Sequence, residues 1–109
     1  MNTQRLSNNY HDAHLERVAI GPRPELVLFI RLDPAHNATI LQDAVVRFGS
    51  IANFREVEAF FSTLPMDAAS DHLGIIRRLE PEARGSWALA LEGYGEVRVL
   101  SERCLERKR

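Results

Sequence analysis

Between Asp43 and Pro65 the chain reads DAVVRFGSIANFREVEAFFSTLP, and its apolar period changes partway along. Ala44, Val46 and Phe48 alternate with Val45 and Arg47, the pattern of a strand with one face on a core. Gly49-Ser50 interrupts the run, glycine being the residue that accepts backbone angles others avoid. Beyond it Phe54, Val57, Phe60, Phe61 and Leu64 recur at three- and four-residue spacings, which lines them along one stripe of an amphipathic helix. Asn53 is the expected N-cap, with Glu56 in the capping-box position. Pro65 is the expected stop, because the residue before a proline is pushed out of the α region. A chain that satisfies both periods needs a sheet and a helix packed against it. The three phenylalanines are read as a core anchor rather than as a partner's groove-binding helix.

The rest of the chain is β-rich. His14 to Ile20 predicts a first strand, with Leu15 and Val18 out of phase in a way that a bulge or an edge position reconciles. Gly21-Pro22-Arg23-Pro24 is a turn. Glu25 to Leu32 then runs as ELVLFIRL, apolar on both faces, as in a central or doubly covered strand. Asp33-Pro34 ends it, and a third strand spans about Thr39 to Phe48. After the helix, His72 to Leu79 is a fourth strand with Gly74 marking a bulge, and Glu80 to Gly85 is a hairpin loop. Ser86 to Leu91 and Glu96 to about Cys104 close the set around the Glu92-Gly93-Tyr94-Gly95 turn. The expected fold is α+β: a curled, mostly antiparallel sheet of five or six strands in the order βββ-α-βββ, with one amphipathic helix packed on it. One domain covers residues 1–109, with about 1–10 a flexible N-terminal arm and about 105–109 a frayed C-terminal tail.

Charge and cysteine usage narrow the function classes. A formal charge of −1 with acids and bases interspersed argues against nucleic acid as the partner, which requires a basic face. No apolar run approaches a membrane span, and the N-terminus MNTQRLSNNYHDAH lacks the apolar stretch of a secretory signal. A single cysteine, Cys104, allows no intramolecular disulfide and fits a reducing compartment. A cytoplasmic protein is expected, and Asn37-Ala38-Thr39 is treated as a chance sequon.

Each candidate site has a plainer reading beside it. His11, Asp12 and His14 form a His-x-x-His pair with a carboxylate, which could hold zinc given a third ligand from Asp33, His36 or His72. That spacing puts two histidines on one face only in a helix, and this segment enters a strand, so surface and capping roles are expected. Gly93-Tyr94-Gly95 lacks the following helix that phosphate cradling uses, and is read as a hairpin turn. Cys104 has no base supplied by motif and is read as a structural thiol. The pairs Glu56/Glu58 and Glu80/Glu82 are read as solvating charges. No catalytic residue and no cofactor is assigned. Trp87 and His72 are the candidates for a ligand pocket on the concave sheet face. Arg47, Arg77 and Arg78 are the candidates for binding a partner's carboxylates, against a cross-strand ion-pair network, which is the favoured reading. Adjacent arginines on a strand are expected on opposite faces, and Asp43 or Glu58 is an expected partner for one of the three.

The run His11-Asp12-Ala13-His14-Leu15, the apolar strand, the Gly-Pro turn and long second strand, and then Phe48-Gly49-Ser50-Ile51, resemble small bacterial immunity-type proteins and related uncharacterised β-rich domains. The resemblance covers the first half of the chain, and the three-phenylalanine helix departs from it. It implies a non-catalytic, β-rich protein-interaction or immunity-like module that works by binding another protein, a toxin for instance. A homodimer through edge strand one or six is a further expectation. The alternative is a small-molecule or metal-binding protein using the concave sheet face.

Overall fold

The computed structural model describes residues 9–35, 43–64 and 73–108. Its elements run β1 (His14–Ile20), β2 (Leu26–Arg31), β3 (Asp43–Gly49), α1 (Phe54–Phe61), β4 (Gly74–Ala83), β5 (Ser86–Leu91), β6 (Gly95–Leu100) and β7 (Arg103–Lys108). The α+β class and the antiparallel sheet are as the sequence predicts. The strand count and order are not. Among the described residues seven strands form one sheet in the order β6-β5-β4-β1-β2-β3-β7.

The extra strand arises where the sequence predicts a single run from Glu96 to Cys104. Ser101-Glu102 divides that run, and β7 pairs with β3 at the far end of the sheet, Val46 opposite Glu106 and Phe48 opposite Cys104. The expected frayed tail is therefore largely strand. Of the expected edges at strands one and six, the first is corrected: β1 lies inside the sheet between β4 and β2, and among the described residues the edges are β6 and β7.

The sheet is curled back on itself. Four strand spacings separate β5 from β3, which would set them about 19 Å apart in a flat sheet. Yet Trp87 of β5 and Phe48 of β3 meet edge to face with ring centroids 5.5 Å apart. The seam that permits the bend is β1–β4, which pairs through two positions only, His14 with Ile75 and Leu15 with Gly74. Inside the curl lie Leu15, Val18, Leu26, Leu28, Ile30, Val46, Phe48, Ile76, Trp87 and Leu89, all buried. Tyr10, expected in the flexible arm, is 2 % exposed and belongs to this core. Residues 1–8 of that arm lie outside the described residues.

Local irregularities explain the phase errors. A register shift between Leu15 and Arg17 is the bulge that β1 needs to bury both Leu15 and Val18. In β4 shifts fall between Ile76 and Arg78 and between Pro81 and Ala83, both beyond the Gly74 where a bulge is expected. β4 also runs on to Ala83, so the expected Glu80–Gly85 loop shrinks to a turn at Arg84-Gly85, where Gly85 takes φ +74°.

The helix buries Val57 and Phe61 and packs Phe54 and Phe60 against the core, as the stripe predicts. Its ends differ. Asn53 makes no side-chain cap of the helix; its amide instead lies along β6, donating from Nδ2 to Arg98 O at 2.6 Å and accepting from Leu100 N at 3.0 Å. The helix stops before Pro65, which lies outside the described residues. Ser62 Oγ and Thr63 Oγ1 each donate at 2.7 Å to the carbonyls of Ala59 and Phe60, satisfying groups of the last turn. The left-handed turn residue at the strand-to-helix break is Ser50, at φ 50°, rather than Gly49.

Ser101 fixes the division between β6 and β7. It is 2 % exposed. Its hydroxyl contacts Gly49 O at 2.6 Å, Arg103 O at 2.9 Å and Arg103 N at 3.1 Å. Its amide donates to Gly85 O at 2.9 Å, and its carbonyl accepts from Trp87 Nε1 at 3.2 Å. Ser101→Ala strands buried polar groups and is expected to cost about 1–3 kcal/mol. Glu58→Ala, on the exposed helix face, is expected to change stability by less than about 0.5 kcal/mol. Urea unfolding of the two variants measures the difference.

Candidate functional site

The histidine–aspartate cluster is a clasp between segments. Asp12 takes φ 63°, and its amide donates to Ile76 O at 2.8 Å. Asp12 Oδ1 accepts from Arg77 Nη1 at 2.6 Å, and Arg77 Nη2 also donates to Glu92 Oε1. His11 Nδ1 lies 2.9 Å from Arg77 O, and Nε2 lies 3.6 Å from Asp12 Oδ1. The stretch before β1 is thus tied to β4 and to the start of the β5–β6 turn. His14 stands exposed on β1 opposite Arg31. Among the described residues no three His, Cys, Asp or Glu side chains come together as metal ligands. His36 and His72 lie outside those residues.

Arg77 and Arg78 are both exposed, contrary to the expectation of opposite faces. The β4 bulge adds a residue, so Ile76 and Leu79 point inward and both arginines outward. Arg78 reaches Glu80 at 2.5 Å, Glu96 at 3.2 Å and Glu82 at 3.9 Å, and Arg98 reaches Glu82 at 3.1 Å. The Glu80 hydrogen bond leads the causes that raise the Arg78 guanidinium above its ordinary value, with Glu96 and Glu82 behind it. These are solvent-screened surface pairs. For Arg77 and Arg78 the ion-pair network is the arrangement present.

Arg47 is different. It has no carboxylate partner among the described residues, neither Asp43 nor Glu58. The strand register places it in one of two rows crossing the outer face of the sheet. One row is Arg17, Phe29, Val45 and Arg107; the other is Ala19, Val27, Arg47 and Leu105. Arg103 follows on the same side of β7, two residues before Leu105. Arg17 lies over the Phe29 ring, its guanidinium carbon 4.3 Å from the centroid. Leu105 is 58 % exposed, more than any other large apolar side chain described. Two acids beside these rows, Glu16 and Asp43, are engaged by Arg31 at 3.1 and 3.8 Å. Arg17, Arg47, Arg103 and Arg107 therefore surround an apolar centre with no acid paired to any of them among the described residues. The sequence singled out Arg47 alone of these, because the cross-strand partners are far apart in the chain.

Trp87 and Cys104 belong to the inside of the curl. Trp87 is 2 % exposed with its indole N–H bonded to Ser101, so it is a core side chain rather than a pocket lining. Cys104 is half-buried opposite Phe48. Burial, and then the Glu106 carboxylate, push its thiol up to about 12. Glu106 also accepts the Tyr10 hydroxyl.

Comparison with known proteins finds no matching family model, no significantly similar curated protein and no significantly similar solved structure.

A thiol held near 12 instead of 9 has roughly a thousandfold less thiolate at pH 8. Iodoacetamide should therefore modify Cys104 at least about a hundredfold more slowly in the folded protein than in urea. The folded state also holds this proton more tightly than the unfolded chain. The Cys104 contribution to stability should thus fall as pH rises from about 9 towards 12, a loss that Cys104→Ala removes from the pH–stability curve.

Proposed function

We propose that this chain is a non-catalytic protein-binding module, immunity-like in that it works by occupying a partner, and that its interface is the outer face of β1, β2, β3 and β7. One observation carries the reading: four arginines without acid partners among the described residues border Val27, Phe29, Val45 and exposed Leu105. Arginine beside apolar and aromatic groups is the composition of interface centres, since a guanidinium sheds water more readily than an ammonium and forks onto carboxylates. The helix packs against β6, and among the described residues no helix covers that outer face. The concave side, where a small molecule would have to sit, is filled by Phe48, Trp87 and their neighbours. A toxin-neutralising role is one form such binding takes.

The test compares partners captured by the wild-type protein and by the double reversal Arg47→Glu/Arg107→Glu, with Arg84→Glu as an exposed control. Reversing two interface arginines should lower affinity for a specific partner by about a hundredfold or more, with the midpoint of unfolding unchanged and the control still binding. Capture that is equal for all three proteins contradicts the reading.

A further inference from the structure

Deepening the outer-face reading, on which it rests, we propose that the partner contributes an extended segment that adds to the sheet along β7, with acidic, apolar and acidic side chains at alternate positions.

The two edges of the sheet are unlike. Along β6, Asn53 fills the place of a neighbouring strand: its amide bonds Arg98 O and Leu100 N, and Ala52 N donates to Leu100 O at 2.8 Å. The C-terminal half of that edge, Arg98 to Leu100, is thus occupied by the segment leading into α1. β7 has β3 on one side and, among the described residues, no strand on the other. Backbone groups at an open edge recruit a further strand.

Side chains on β7 state what the strand must carry. Arg103, Leu105 and Arg107 alternate along its outer face, and all are exposed. A strand laid beside β7 places its own alternate residues against these three. Carboxylates opposite Arg103 and Arg107, and an apolar group opposite Leu105, match them; because the pattern is symmetric, it suits either strand direction. Arg47 and Arg17, one and three strands further in, extend the positive field over the same face. A second copy of this chain is disfavoured as the occupant, because β7 against β7 brings arginines towards arginines. Nucleic acid offers phosphates but no backbone amides to complete the ladder, and the chain's net charge is −1.

The experiment titrates the protein with labelled peptides bearing Glu-Thr-Leu-Thr-Glu, its Lys-Thr-Leu-Thr-Lys counterpart, and two N-methylated forms of the acidic peptide, each blocking one alternate set of amides. The acidic peptide is expected to bind at least about tenfold more tightly than the basic one, with affinity falling as salt rises. One N-methylated set should abolish binding and the other leave it intact, because a strand offers only alternate amides to its neighbour. Arg107→Glu should lose about tenfold in affinity. Equal binding by both N-methylated forms, equal binding of acidic and basic peptides, or a dimer through β7 in sedimentation overturns the proposal. So does a panel that fails to bind while a captured partner still depends on Arg47 and Arg107. In that last case the outer-face reading stands and strand addition alone falls.

Discussion

Ser101 carries one buried hydroxyl that lies between three backbone groups of two strands, Gly49 on β3 and Arg103 on β7. Its own amide and carbonyl reach Gly85 and the Trp87 indole. A buried polar group without partners is costly, so satisfying this serine links the β4–β5 turn, β5, β3 and β7 at one point. Without that junction, the run after Gly95 has no reason to leave β5 and cross to β3. With it, the two ends of a seven-strand sheet are joined by two residues, Ser101 and Glu102. The curl then follows from chain length: two residues span only about 7 Å when extended. Trp87 and Phe48 meet across the space this closes.

The same closure sorts the surface. Bringing β7 beside β3 puts Leu105 opposite Arg47 and Arg107 opposite Val45, which assembles a positive, partly apolar face from strands at both termini of the chain. On the other half, Arg77, Arg78 and Arg98 are matched by Asp12, Glu80, Glu82, Glu92 and Glu96. The arginines thus divide into a set paired with carboxylates and a set, Arg17, Arg47, Arg103 and Arg107, with no acid partner among the described residues. The proposed recognition would draw on the second, because charges already paired offer a partner little.

The strand-to-helix block at Asp43–Leu64 was legible because period and burial are the same physical fact there: Val46, Phe48, Val57 and Phe61 are all buried. The apolar run of β2 likewise reads directly as an interior strand. Ser101 was not legible, since one serine between Leu100 and Glu102 carries no turn signature and its partners lie at Gly49 and Gly85. Nor could the β4 bulge be read from Arg77-Arg78, because alternation assigns adjacent residues to opposite faces unless the ladder shifts. Tyr10 sits in a polar stretch, and only its docking against Glu106 and the core reveals its role. Of the outer-face arginines, Arg47 was visible from its strand. Arg103 and Arg107 were masked by neighbouring glutamates, of which Glu106 alternates to the other face of β7 and Glu102 lies in the break before it. Asn53 was recognised as a capping residue, but the edge it caps belongs to β6, a partner that no local pattern names.

The pairing of β3 with β7 is what this account depends on most, and backbone nuclear Overhauser effects report it directly. Cross-strand contacts between residues 45–49 and residues 103–107 are predicted, with Arg47 next to Leu105 and Val46 next to Glu106. Contacts from residues 103–107 to β5 instead, as in one unbroken last strand, would contradict the closure at Ser101 and the arginine face built on it.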